Sequence, residues 1–173
     1  MTLPDDLPLR ARFISAMSNA AMTVNIVTTD GPEGQAGITV SAMTPVSADG
    51  DRPTLLVCVN RNSNSYAKLR ANGVFCVNVL RDDQSFVSDA FASQRQQPGV
   101  TKFNCAEWTA MPSGAPRLCD PLVALDCRLV EIHSVGTHDI LLGAVEDIFI
   151  GQGTPLLYVN RGYGAVQSLT GKA

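Results

Sequence analysis

The runs "LVALDCRLVEIHSV" (122–135) and "HDILLGAVEDIFIG" (138–151) have only Gly136 and Thr137 between them. Both are rich in β-branched and apolar residues, and so short a connection joins strands only as a tight antiparallel hairpin. A third run, "PLLYVNRGYG" (155–164), reads as one more strand. Any fold for this chain must accommodate three long strands in succession.

The upstream sequence adds to them. "MTVNIVTT" (22–29), the turn "DGPEGQ" (30–35) and "AGITVSAM" (36–43) read as a hairpin. "TLLVCVN" (54–60) is apolar on both faces, as in a central strand, and "VFCVNVL" (74–80) reads as another buried one. Helices are few. Asp5, Asp6 and Pro8 mark the start of one over about residues 8–20, with Leu9, Phe13, Met17 and Ala20 at helical spacing. "SNSYAKLRANG" ends a short helix at Gly73, a C-terminal glycine of the usual kind. Asp82 and Asp83 can cap a third helix, with Phe86, Val87, Ala90 and Phe91 on one face. Residues 93–117 read as a long loop with one short strand near Trp108. No βαβ series or internal repeat appears. The expected fold is mainly β: one domain over 1–173, an antiparallel barrel whose closure removes exposed edges, with peripheral helices.

Composition narrows the function. Hydrophobic residues make up 45% and charged residues 17%, a balance that favours an oligomer with part of its surface covered. The net charge of -3 and the absence of any basic run argue against nucleic acid or an anionic membrane as partner. No apolar run approaches the ~20 residues of a membrane span, and "MTLPDDLPLRARF" has no secretory pattern. The five cysteines, odd in number and without C-x-x-C spacing, fit a reduced, cytoplasmic protein.

Motifs for phosphate loops and for triad hydrolysis are missing, and His133 and His138 have no metal-ligand spacing, so no metal is expected. Polar residues at strand ends remain. In "GITVSAMTPVS" (37–47) small residues surround Ser41, where a flat ligand can approach the backbone, although an ordinary turn explains them equally well. Residues 60–65, "NRNSNS", precede a helix N-terminus that favours an anion; one such residue suffices as a cap, and this stretch exceeds that need. His138 sits at a hairpin edge, where a solvated turn residue is the plainer reading. Tyr158 alternates into the core as packing, while Tyr163, between glycines, is freer to lie against a planar ligand.

Taken in order, "GITVSAMTPVS", "LLVCVNRNS", "GVFCVNVL", "VSDAFA", "GTHDILLGAVEDI" and "PLLYVNRGYG" resemble the short-chain flavin reductases, reductase partners of two-component flavin-dependent monooxygenases. The resemblance runs from about Ala21 to Gly164, and "TVNIVTTDGPEGQAGITVSA" is similar to the 4-hydroxyphenylacetate-type, aromatic-hydroxylase branch. It implies a homodimeric Greek-key split β-barrel that binds FMN or FAD and supplies reduced flavin to an oxygenase. By motif, Thr39, Val40, Ser41 and Ala42 would line the isoalloxazine, with Ser47 adding a contact. Cys58 and Val59 would also contact the flavin, and Asn60, Ser63 and Ser65 would hold its phosphate end, with Arg61 nearby. Phe91 and Ala92 would flank the flavin, and Tyr163 matches an aromatic near the same pocket. His138 matches the histidine of a Gly-Asp-His turn that positions the nicotinamide; Thr137 replaces that aspartate here.

The implied reaction is hydride transfer from NADH (or NADPH) to flavin, with cofactors carrying the bond chemistry and the protein supplying geometry and main-chain donors. No basic residue is assignable to a 2′-phosphate, which favours NADH. Other occupations of such a barrel are a flavin-binding protein without reductase activity and a pyridoxamine-phosphate-oxidase-like enzyme.

Overall fold

The computed structural model describes residues 7–92, 101–167 and 169. Seven antiparallel strands form the main sheet. In chain order they are β2 (Asn25–Thr29), β3 (Ala36–Val40), β4 (Met43–Ser47), β5 (Thr54–Asn60), β6 (Val74–Val79), β9 (Val123–Val135) and β10 (His138–Ile150). Their order across the sheet is β3-β2-β6-β9-β10-β5-β4. The two edge strands, β3 and β4, are thus consecutive in the chain, with only Ser41 and Ala42 between them. A sheet whose first and last strands are that close must be curled into a barrel. The Cys58 N–H donates to the Ala42 carbonyl (3.0 Å), fixing the crossing point against β5.

The long hairpin behaves as its sequence requires. Val135 pairs with His138 across Gly136 and Thr137, and Gly136 has φ +56°. Register shifts at Leu142/Gly143 and Val145/Asp147 bend β9 and β10 around the barrel. The interior is filled from nearly every strand: Val27, Val57, Val59, Phe75, Val77, Cys127 and Leu141 are fully buried. Leu69 closes one end from α2 (Tyr66–Asn72), which stops at Gly73 in the left-handed conformation (φ +68°).

Smaller elements surround the barrel. They are α1 (Leu9–Ser18), α3 (Ser85–Phe91), a sheet of order β1-β11-β12, namely β1 (Met22–Thr23), β11 (Leu156–Val159) and β12 (Gly162–Ala165), and a hairpin of β7 (Trp108–Ala110) and β8 (Pro116–Leu118). All pairings are antiparallel, so the mainly β, split-barrel expectation holds.

Several local expectations are corrected. "MTVNIVTT" divides at Val24 into β1 and β2, which serve different sheets. "PLLYVNRGYG" is a hairpin rather than one strand, because Asn160 (φ +51°) and Arg161 (φ +61°) both adopt the left-handed conformation of a tight turn. Tyr158 consequently pairs with Tyr163 and is 39% exposed, so it is not core packing. β5 alternates, with Leu55, Val57 and Val59 inside and Leu56 and Cys58 half-buried; it lies one strand from the edge. The residue capping α3 is Gln84, without a side-chain bond to the helix, since Asp83 pairs with Arg81; Phe86 faces out. The loop near Trp108 carries two strands, because Pro116–Leu118 pairs back on Trp108–Ala110. Its residues 93–100, like Asp5 and Asp6, lie outside the described residues. α1 forms as expected, yet buries none of its apolar residues against the rest of the described chain.

Gly143 lies where β10 crosses the Phe75 ring; an added Cβ would stand 2.5 Å from Phe75 Cζ and 3.0 Å from Cys127 Cβ. Overpacking of this kind costs about 1–3 kcal/mol. Gly143→Ala should therefore lower the midpoint of urea unfolding without changing the slope.

Candidate functional site

The alternation of β2 determines what β3 can offer a ligand. The Leu80 N–H donates to the Val24 carbonyl (3.0 Å), so Val24, Ile26 and Thr28 direct their backbone groups toward β6. Asn25, Val27 and Thr29 direct theirs toward Val40, Ile38 and Ala36 of β3. The intervening Gly37 and Thr39 therefore turn N–H and C=O away from β2, to the side where β3 has no neighbouring strand among the described residues. The Gly37 carbonyl accepts from Ser65 Oγ (2.6 Å) and Lys102 Nζ (2.8 Å) on that side.

Two cavities of about 410 Å³ each open along this edge and share Ile38 and Ala92. The first is polar, lined by Asn60, Asn62, Ser63, Asn64 and Ser65 together with Phe91 and Lys102. Its lining holds an orphan: Ser63 Oγ is buried with no hydrogen-bond partner among the described residues. A buried hydroxyl left in this way costs about 1–3 kcal/mol, which a ligand acceptor would recover. Burial also lowers the Lys102 ammonium below its ordinary pKa, so an anion beside it would be stabilising. Phe91 is held by Phe103 (5.1 Å between ring centroids) and Trp108 (5.4 Å), which makes this wall rigid.

The second cavity is lined by Thr39, Val40 and Ser41 on one side and by Ser88, Asp89, Tyr158, Arg161 and Tyr163 on the other. Thr39 Oγ1 donates to the Ser88 carbonyl (2.9 Å), tying β3 to α3. The Tyr163 hydroxyl lies 2.8 Å from Asp89 Oδ1 and 3.0 Å from Ser88 Oγ. Its ring is thereby fixed, 5.7 Å from that of Tyr158. Flat walls and outward backbone donors suit a planar heterocycle; the first cavity suits an anionic tail attached to it.

The remaining sequence-expected residues stand apart from these two cavities. Ala42 lines a third, of about 340 Å³, which Ser41 also borders. Ser47 is 3.4 Å from Asp49 on the exposed edge, Val59 is fully buried in the barrel, and Cys58 is half-buried on β5. Arg61 turns away from the polar cavity to pair with Asp139 (3.2 Å) and to donate to the Gly136 carbonyl. His138 is exposed and pairs in register with Asn60, which links it to the rim of the first cavity. Sequence reasoning missed Lys102, which reaches the site from the loop; only its place beside Phe103, in "TKF", distinguished it. It also missed Arg161, whose place in the second cavity depends on the turn at Asn160 and Arg161. Among the described residues no group of acidic, histidine or cysteine side chains could hold a metal.

Comparison with known proteins agrees with this geometry. The family described as "Flavin reductase like domain" matches residues 17–167. The chain belongs to that family. A relative named FMN reductase (NADH) RutF, from Methylorubrum extorquens, is 46% identical over 154 residues, covering 88% of this chain and 73% of its own. A solved structure of a candidate flavin reductase from Haemophilus somnus 129pt is 41% identical, with a TM-score of 0.83 over 92% of this chain and all of the other. BorF, the flavin reductase component of a bacterial two-component tryptophan halogenase, is 25% identical, with a TM-score of 0.80 over 92% of this chain and 99% of its own.

The two cavities make separable demands on a ligand. Replacing Lys102 by Met should weaken FMN binding roughly tenfold, the value of one charge-assisted hydrogen bond. Riboflavin, which lacks the phosphate, should bind the variant as it binds the parent. Fluorescence quenching measures both.

Proposed function

We infer that this protein is an NADH-dependent flavin reductase that delivers reduced flavin to a partner oxygenase. The observation that carries the reading is the pair of joined cavities along the β3 edge, one flat-walled and one polar with a half-buried ammonium, in a chain whose relatives are named FMN reductase (NADH). A bound flavin would supply the redox chemistry as the acceptor of a hydride from a dihydronicotinamide.

The chain's own residues bind, orient and exclude. Ser63, Asn60 and Lys102 hold the phosphate end, while Ser65, whose hydroxyl donates to the Gly37 carbonyl, braces the turn behind them. The outward Thr39 amide, with Ser41 two residues on, meets the polar edge of the ring, where preorganised N–H donors favour the charge of the reduced form. Ala92, shared by both cavities, and Tyr163 bound the ring plane. Holding two rings at about 3–3.5 Å contributes several kcal/mol to catalysis without any side-chain acid or base. His138, beside Asn60, positions the nicotinamide. FMN is the favoured flavin, with FAD as the alternative, and NADH is favoured over NADPH, placing the enzyme in class 1.5.1.

The assembly we propose is a homodimer. Leu9 (80% exposed), Phe13 (63%) and Ile150 (77%) are among its large apolar residues left open on one protomer. The partner is a flavin-dependent monooxygenase or halogenase, and the location is the cytoplasm; no helix among the described residues is long and apolar enough to cross a membrane.

Loss of absorbance at 340 nm (the nicotinamide band) decides the activity. NADH consumption should require added FMN, and a protein that binds FMN but consumes no NADH would be a flavin carrier. His138→Ala should raise KM for NADH by about tenfold with little change for FMN, the signature of a lost dinucleotide contact.

A further inference from the structure

Asp139 is 2% exposed and follows the exposed His138, a carboxylate at the mouth of an apolar barrel. An unpaired buried charge there would be costly. Oδ1 accepts from Ser134 Oγ (2.8 Å) and Arg61 Nη1 (3.2 Å), and Oδ2 accepts from the Tyr66 hydroxyl. The Tyr66 bond foremost, then Ser134 and Arg61, hold the acid below the usual carboxylate range.

These partners come from different parts of the chain. Arg61 belongs to the turn at residues 60–65, Tyr66 begins α2, and Ser134 lies on β9. Arg61 also donates its backbone N–H to the Thr137 carbonyl (3.0 Å) and its guanidinium to the Gly136 carbonyl. Thr137 Oγ1 in turn lies 3.0 Å from His138 Nδ1. Side chains alternate along β10, so fixing Asp139 inward fixes His138 outward, next to its register partner Asn60.

We propose that Asp139 is a positioning residue that clamps the hairpin tip carrying His138 to the turn beneath the phosphate cavity. This rests on the flavin reductase reading, and it gives the buried acid of "GTHDI" the task of holding the histidine rather than touching a ligand. The clamp also assigns Arg61 to the hairpin instead of to the flavin phosphate.

The test is a double-mutant cycle on NADH kinetics. Asp139→Asn should raise KM for NADH roughly tenfold while FMN affinity changes by about threefold or less. If Asp139 acts through His138, the Asp139→Asn/His138→Ala double variant should have a KM for NADH within about twofold of His138→Ala alone. Additive losses would overturn the proposal. Should Asp139→Asn fail to fold, Tyr66→Phe, which keeps the acid and Arg61, enters the same cycle and should give a smaller, equally non-additive loss. A readout independent of activity is hydrogen exchange of the Arg61 amide, bonded to Thr137. Exchange accelerated by Asp139→Asn, or by Tyr66→Phe, supports the clamp, and an unchanged rate overturns it. A parent protein that consumes no NADH would instead overturn the reductase reading, leaving the clamp to be judged by exchange.

Discussion

The curled sheet meets itself at a single turn, and most of the molecule's chemistry follows from that. β3 and β4 are the two edges of the seven-stranded sheet, yet only Ser41 and Ala42 separate them. Among the described residues β3 has no second strand partner. Every other backbone group of β3 is therefore available to something else. Exposed edges are normally a hazard that proteins cover or charge. Here α3, the turn at 60–65 and Lys102 cover part of the edge, and the cavities occupy the rest.

Gly37 shows how the pieces are joined. Its carbonyl receives donors from the helix-capping Ser65 and from Lys102, while its missing side chain admits the Phe91 ring: a Cβ there would stand 2.5 Å from Phe91 Cε1. One residue thus sets the distance between β3, α2 and α3. The Lys102 ammonium is kept near the cavity by a neutral acceptor rather than a carboxylate, so its charge is left for a ligand. Arg61 is the opposite case, since its charge is already matched by Asp139. The two cations have different tasks because their acceptors differ.

The fold was legible wherever periodicity and turn chemistry agreed. Gly136 and Gly73 both adopt the positive φ that their positions required, and the buried strand at residues 74–80 reads directly from its apolar run. The hairpin within "PLLYVNRGYG" was hidden because Asn160 and Arg161 turn the chain without a glycine at either central position. α1 was legible as a helix, but its apolar spacing did not reveal that none of its residues is buried against the described part of the chain. At the site, the polar turn at residues 60–65 stood out as a surplus of small donors, and five of its six residues line the polar cavity, Arg61 being the exception. Which of them point elsewhere was not legible. Ser65 and Arg61 are directed by Gly37 and Asp139, residues distant in sequence, and Lys102 arrives from a loop with no local pattern.

The central claim is that the free side of β3 is the flavin platform, and amide hydrogen exchange along this strand tests it most directly. Without ligand, the Thr39 amide should exchange quickly, while those of Ile38 and Val40, paired with β2, exchange slowly. Saturating FMN should slow Thr39 markedly and leave Ile38 and Val40 nearly as they were. Tight FMN binding with no change at Thr39 would contradict the account, for the ring would then lie somewhere other than against this edge.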